Sequence, residues 1–453
     1  MAKTKGFMIA APRSGSGKTT VTLGLLRALA RRGLPVASFK CGPDYIDPAF
    51  HKIATGRESY NLDSWAMAGD MLDAIFARGA AGAEVVIAEG SMGLFDGVMK
   101  PGASGDGSSA DIAARFGLPV MLVIDVSGQS QSAGAVALGF KNFHPDVKIT
   151  GVILGNVASE RHKAQAAHGV ERAGIPVLGA LPRGGVPVLP ERHLGLVQAG
   201  EIENISAMIE ALADVVEKCV DVEALLNSLP PLRGKAGWGV LQQTQQAELP
   251  PTLILPLKGG GDKKRIALAR DVAFSFMYPH ILAAWKDAGA TVLPFSPLNN
   301  EAPDPSADLC WLPGGYPELY AEKLSGNRNF LQGLREFTKT KPVHGECGGY
   351  MVLGDTLVDK EGKSWPMAGL LPLTTSFAKR KIHLGYRAVT LTADSPIGKN
   401  GQLIRGHEFH YASIIEQGTA QALGEATDAG GTALGPVGQK IGPVSGTFFH
   451  AVA

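Results

Sequence analysis

The sequence predicts an α/β fold in two domains. The first is a parallel-sheet domain opening on a phosphate-binding loop, and the second an α/β domain with added β strands. Three observations carry that expectation. Residues 7–32 read as an apolar strand, a turn of small residues and a leucine-rich helix. Strand-like and helix-like runs then alternate through the first half of the chain. A stretch rich in Pro, Gly and Gln from 229 to 264 breaks the pattern before a second alternation starts at Arg265. The expected domains are therefore 1–228 and 265–453, joined by a linker at 229–264.

In chain order, the first strand is Phe-Met-Ile-Ala at 7–10, and the helix at 21–32 repeats leucine at helical spacing. Further strands are expected at 36–40, 84–89, 119–126, 149–157 and 177–180, with helices between them, for example at 110–116 and 161–173. Strands parted by helices imply right-handed crossovers and a parallel sheet covered on both faces. An amphipathic helical segment at 202–226 closes the first domain. The second domain is expected to place strands at Arg265-Ile-Ala-Leu-Ala, 291–295, 308–312 and 342–344, with short β runs after Met367.

Bulk composition narrows the function classes. The 453 residues have room for two or three cores. With 43 basic and 42 acidic residues the net charge is +1, which gives no argument for nucleic acid or an anionic membrane as partner. Cys41, Cys219, Cys310 and Cys347 are far apart and form no C-x-x-C, a pattern that suits free thiols in a reducing compartment. The first apolar run is too short for a signal peptide, and no stretch approaches membrane-spanning length. These features suggest a cytoplasmic enzyme acting on small molecules, with a homodimer allowed.

Residues 11–20, Ala-Pro-Arg-Ser-Gly-Ser-Gly-Lys-Thr-Thr, carry the first chemistry. Gly15 and Gly17 let successive backbone N–H groups curl toward an anion, and the helix start adds its positive end. Ser14, Gly15, Ser16, Gly17, Lys18, Thr19 and Thr20 are the expected ATP-binding residues, with Lys18 on the outer phosphates and the Thr19 hydroxyl on Mg²⁺. The first glycine of the usual motif is replaced by Pro12. Ligands of such sheets bind beyond the carboxyl ends of the strands, where this sequence puts acids. Asp44 and Asp47 follow the second strand, Glu89 ends the next, and Asp96 lies in Gly-Leu-Phe-Asp-Gly. Mg²⁺ takes hard oxygen ligands, so Thr19, Asp44 and Glu89 form the expected metal set. Turn chemistry accounts equally well for Asp47, and the strand-end Asp125 stays open.

The second domain carries a thiol. Val343-His-Gly-Glu-Cys-Gly-Gly-Tyr-Met sets Cys347 in a glycine-flanked strand-to-helix turn, the layout of a nucleophile elbow. The helix start is expected to lower the thiol's pKa, and the N–H groups of Gly348 and Gly315 to stabilise an oxyanion. Cys310 and Cys219 read as buried small hydrophobes. Two late histidine groups are available as base, His407 with His410 in Arg-Gly-His-Glu-Phe-His, and His450. Spacing does not choose between them. A zinc reading of His407 and His410 is weak, because they lie three apart and not four.

Six motifs occur in order: the phosphate loop, Phe-Lys-Cys-Gly-Pro-Asp-Tyr-Ile-Asp-Pro, Ala-Glu-Gly-Ser-Met-Gly-Leu-Phe-Asp-Gly, Leu-Pro-Gly-Gly-Tyr-Pro-Glu-Leu, Gly-Glu-Cys-Gly-Gly-Tyr and Arg-Gly-His-Glu-Phe-His. Together, over essentially the whole chain, they resemble the cobyrinate/hydrogenobyrinate a,c-diamide synthase family of corrin biosynthesis. Its first domain is similar to dethiobiotin synthetase and its second to class I glutamine amidotransferases. The resemblance implies a ligase that amidates the a and c acetates of hydrogenobyrinic acid (or cobyrinic acid) with ATP and glutamine. It makes Cys347 the nucleophile and His450 its base, and gives Asn156 the adenine. Asp44, Tyr45, Glu89 and Asp96 would handle metal, substrate or intermediate. Class I enzymes usually carry His-x-Glu; here Ala451-Val452-Ala453 follows the histidine, so that third member is absent, as in this branch. An anionic tetrapyrrole needs cations, for which Lys379-Arg380-Lys381, Arg387 and the segment with Arg405, His407 and His410 are candidates. Whether cobalt is already in the ring is not decided by any residue; general similarity leans to the cobalt-free acid. Two rivals stay open: a cobyric-acid-synthase-like amidotransferase, and a phosphate-loop regulatory ATPase, which leaves Cys347 idle.

Overall fold

Strands that are apolar on both faces have to be covered on both faces, and the first unit is built that way. The computed structural model describes residues 4–192, 195–232, 264–379 and 381–453. The chain divides into units Met1–Ala247 and Glu248–Ala453. In the first, β1 (Lys5–Ala10), β2 (Val36–Cys41), β3 (Tyr60–Leu62), β4 (Val85–Glu89), β5 (Val120–Asp125), β6 (Ile149–Val157) and β7 (Val177–Pro182) form a parallel sheet in the order β3-β2-β4-β1-β5-β6-β7. The chain runs to one side of β1 and then to the other. The carboxyl ends of β1 and β4, side by side, are therefore where a ligand crevice opens.

The helices are α1 (Lys18–Arg31), α2 (Asp47–Thr55), α3 (Gly69–Ala80), α4 (Ser109–Phe116), α5 (Ala133–Phe143), α6 (Glu160–Arg172), α7 (Ile205–Cys219) and α8 (Val222–Ser228). Two of them depart from the sequence reading. Asp47, expected in a loop, begins α2, because Asp44 accepts from the Ile46 and Asp47 N–H groups at 2.7 and 3.0 Å and opens the helix. The single segment expected at 202–226 is broken: Val220 is extended and bridges Gly179, Asp221 N donates to Leu178 O, and the Asp221 carboxylate caps α8. The expected linker falls mostly outside the described residues. At its near end Leu232 N still donates to Thr4 O; at its far end Lys264 O accepts from Thr291 N.

The second unit has a six-stranded sheet in the order Thr291–Phe295, Arg265–Ala269, Leu309–Leu312, Val343–Glu346, Val444–Thr447, Gln439–Ile441. Its first five strands are parallel and the last is antiparallel. Beyond Met367 comes the expected β-rich part. An antiparallel five-stranded sheet orders Ala433–Val437, Gly424–Asp428, His383–Leu391, Leu403–His410 and His450–Ala451. A four-stranded sheet, two of whose strands precede Met367, orders Ser364–Pro366, Thr356–Val358, Leu373–Ser376 and Ser413–Gln417. Among the described residues, no helix is long and apolar enough to cross a membrane.

Candidate active site

At the end of β1, the phosphate loop turns through Gly15 (φ 72°) and Gly17 (φ 88°), backbone angles open to glycine, and enters α1 at Lys18. Ser16 Oγ donates to Arg13 O at 3.0 Å and stiffens the turn. The Lys18 ammonium, buried, donates to Arg13 O and to Met92 O, the latter in the loop after β4. Burial, helped by the Lys40 charge, lowers its pKa to about 8. Asp96 closes that same loop by accepting from Gly93 N at 2.7 Å.

Glu89 is the hub. It has no exposed surface, and Thr19 Oγ1 donates to its Oε1 at 2.6 Å. Lys40 Nζ donates to Oε1 at 2.9 Å, and His51 Nε2 lies 2.8 Å from Oε2. Burial opposes the charge of Glu89, but Lys40 and the His51 and Thr19 hydrogen bonds outweigh it and hold the carboxyl well below its usual range. Burial also opposes the charge of Lys40, which Asp47, a direct hydrogen-bond partner, and Glu89 hold well above the ordinary lysine value. Lys40 and His51 were missed in the sequence. The signal was a lysine inside an apolar parallel strand, a position that demands a buried anion.

The oxygen pair Thr19–Glu89 has the hard donors Mg²⁺ prefers, set where phosphates would lie. Asp44 spends Oδ1 on the start of α2, so its geometry is that of a helix opener. Tyr45 is half-buried beside it. Asn156 is exposed at φ 58° near the end of β6, hydrogen-bonded to Asp125. Asp125 also pairs with Arg13 of the phosphate loop at 2.9 Å. No group of three or more His, Cys, Asp or Glu that would hold a metal occurs among the described residues.

In the second unit, Cys347 sits between the strand Val343–Glu346 and the helix Gly348–Leu353 at φ 46°, ψ −103°, a conformation costly for a residue with a side chain. Hydrogen bonds hold it there: Cys347 N to Thr447 O at 2.7 Å, Met351 N to Cys347 O and Gly349 N to Pro313 O at 3.1 Å. Gly349 is required, since a Cβ there would stand 2.0 Å from Leu312 O. The expectation of a low thiol pKa is not met. Burial pushes the Cys347 thiol up, the Glu318 and Glu346 charges add to it, and the Gly348 N–H offsets only part. Burial thus favours the thiol over the thiolate at Cys347. The amide nitrogen of Gly315 borders Gly348 closely enough that a Cβ on Gly348 would lie 3.1 Å from it, so the two proposed oxyanion donors are neighbours.

His450 is the histidine beside this thiol. A Cβ on Gly314 would stand 2.6 Å from His450 Cε1 and 3.3 Å from Cys347 Cβ, so both side chains crowd against this glycine. His407 stacks on His450 with centroids 5.3 Å apart, and His410 stacks on Phe448 at 4.0 Å. Three apart on a strand, His407 and His410 face opposite ways, which removes the zinc reading. Both are buried, and that burial lowers their pKa and favours the neutral ring over the cation that a large anion would need. Arg387 is paired with Glu408 at 2.7 Å. Lys379 and Lys381 are exposed, and Arg380 lies outside the described residues. Glu346, not singled out in the sequence, faces the His450 ring, with Oε2 3.7 Å from Nδ1. Cys41 and Cys310 are buried, their thiols pushed up by desolvation, as small core residues.

Residues 7–197 match the CobQ/CobB/MinD/ParA nucleotide binding domain, and 265–453 the CobB/CobQ-like glutamine amidotransferase domain. Three relatives are each named hydrogenobyrinate a,c-diamide synthase. The one from Rhodobacter capsulatus is 56% identical over 452 residues, covering 99% of both chains. Those from Mesorhizobium japonicum and Agrobacterium fabrum are 52% and 51% identical, covering 99% of this chain and 98% and 99% of theirs.

Proposed function

The chain belongs to the hydrogenobyrinate a,c-diamide synthase family, and we infer that it uses ATP and glutamine to amidate the a and c acetate carboxylates of hydrogenobyrinic acid in cobalamin biosynthesis. The observation that carries this reading is the presence, in one chain, of the Lys18–Thr19–Glu89 cluster and the Cys347–His450 elbow. It works as a carbon–nitrogen ligase on small molecules. The cytoplasm, with its ATP and glutamine, is the fitting compartment, and the reading is compatible with a homodimer. The domain roles follow: 1–228 activates the carboxylate and 265–453 hydrolyses glutamine.

A carboxylate is a poor electrophile until one oxygen becomes a leaving group. A corrin carboxylate oxygen attacks the γ-phosphorus of ATP, the bond to ADP breaks, and ammonia then displaces phosphate to leave the amide. Lys18 exchanges its carbonyl partners for phosphate oxygens as these arrive. Thr19 and Glu89 would hold Mg²⁺, which neutralises phosphate charge. Asn156 is placed in this reading at the adenine, with Ser14 to Thr20 around the phosphates. Asp44, Tyr45 and Asp96 flank the carboxylate, and Arg405, Lys379 and Lys381 are the remaining cations for the corrin.

In the second domain, Cys347 Sγ attacks the side-chain amide carbon of glutamine while His450 takes the thiol proton and passes it to departing ammonia. The Gly348 and Gly315 N–H groups hold the oxyanion, and water then releases glutamate from the thioester. The test is product mass after incubation with ATP, Mg²⁺, glutamine and hydrogenobyrinic acid, with cobyrinic acid in parallel. A diamide that requires both ATP and glutamine, and is not made by Lys18→Ala, is expected. Unchanged corrin would overturn the reading.

A further inference from the structure

We propose that Glu346 is the positioning residue that orients His450, a carboxylate supplied from the strand before the nucleophile in place of the one missing after the histidine. The proposal rests on the glutamine-hydrolysing role argued above. His450 is followed by Ala451-Val452-Ala453, so its own strand offers no acid. Glu346 is buried with it; its Oε1 accepts from Ala451 N at 3.3 Å, and its Oε2 lies 3.7 Å from His450 Nδ1. One carboxylate thus touches the backbone next to the base and faces one of its ring nitrogens.

The surroundings divide the work of holding the ring. His407 stacks against it with an interplanar angle of 22°, and Tyr278 Oη lies 3.4 Å from His407 Nδ1, so one face of the ring is braced. His280 Nε2 lies 3.0 Å from Val452 O, and Arg405 N donates to Ala453 O at 2.8 Å, so the tail cannot slide. None of these chooses which nitrogen carries the proton. A carboxylate beside Nδ1 does: it favours the tautomer with hydrogen on Nδ1 and leaves Nε2 with a lone pair. The thiol proton then moves from Sγ to Nε2, the ring becomes an imidazolium, and Glu346 stabilises that charge without itself taking a proton.

Glu346→Gln separates this role from a merely structural one, because the amide oxygen can still accept from Ala451 N while the charge is gone. At 3.7 Å the pair is looser than a hydrogen bond. The expected loss in kcat for glutamine hydrolysis is therefore roughly 10- to 100-fold, below the ~10⁴ seen when a tightly bonded orienting acid is neutralised. KM for glutamine should hold within about twofold, as expected for a group that acts only in the transition state. In a His450→Asn background, Glu346→Gln should cost nothing further, since both act through one ring. Glu346→Asp, which keeps the charge, should stay faster than His450→Asn, and it carries the test should the Gln variant lose its fold. Wild-type kcat in Glu346→Gln, multiplying losses in the double variant, or Glu346→Asp as slow as His450→Asn would each overturn the proposal. Ammonium-driven amidation should be untouched in all of them; its failure in the unaltered enzyme would instead overturn the ligase reading.

Discussion

Glu89 stays charged with no exposed surface because three donors, Lys40, His51 and Thr19, converge on two oxygens. Removing one member of a buried ion pair costs about 3–5 kcal/mol, since the partner's charge is left uncompensated. Lys40 retains Asp47, so Glu89→Gln should destabilise by about 3 kcal/mol, the lower end of that range, measured by urea denaturation. If Glu89 holds the metal as proposed, the same change should also abolish Mg²⁺-dependent ATP turnover at ordinary Mg²⁺ concentrations while the fold stays intact. Unchanged Mg²⁺ dependence would reduce Glu89 to a structural strand end. By contrast the Arg13–Asp125 pair, whose arginine is 64% exposed, contributes at most about 1 kcal/mol.

Among the elements of the second unit, four buried histidines sit in a helix (His280), in the mostly parallel sheet (His344) and in the strand Leu403–His410 (His407 and His410). Burial lowers the pKa of His280 to about 4, of His344 and His410 to about 3, and of His407 well below the ordinary value of 6.5. A depressed pKa means that the unfolded chain binds a proton the folded ring refuses. The stabilisation is therefore present above about pH 6.5 and lost as pH falls toward the folded values, by about 1.4 kcal/mol per pH unit for each ring. Protection factors for amide hydrogen exchange in the strand Leu403–His410, corrected for the intrinsic rate at each pH, should fall between about pH 6.5 and about pH 5, while glutamine hydrolysis fails over the same window. Protection factors that do not change across that window would contradict this role of the buried rings. The elbow is different in kind. Its strain, of order 1–3 kcal/mol, is held by backbone hydrogen bonds that do not titrate.

For the whole molecule, the strand–helix alternation was legible, because buried parallel strands and amphipathic helices leave separate periodicities in the chain. The phosphate loop and the cysteine elbow were legible too, since each needs glycine at fixed offsets. What escaped was made by long-range packing. Lys40 meets Glu89 only when β2 pairs with β4, and Glu346 meets His450 only when two sheets bring residues 104 positions apart together. The low-pKa thiol was misjudged because a helix start is visible in sequence and the burial that outweighs it is not.

In the proposed reaction one chain carries two separable chemistries, and Cys347→Ser separates them. The hydroxyl has nearly the thiol's size but a much higher pKa, so glutamine should no longer serve as nitrogen source. The Lys18–Thr19–Glu89 cluster is untouched, so the variant should still form the diamide from ATP and excess ammonium at close to the unaltered rate. His450→Asn should behave alike, with a milder loss on glutamine. A Cys347→Ser protein that folds and binds ATP yet makes no amide from ammonium, or one that still uses glutamine at full rate, would contradict the claim.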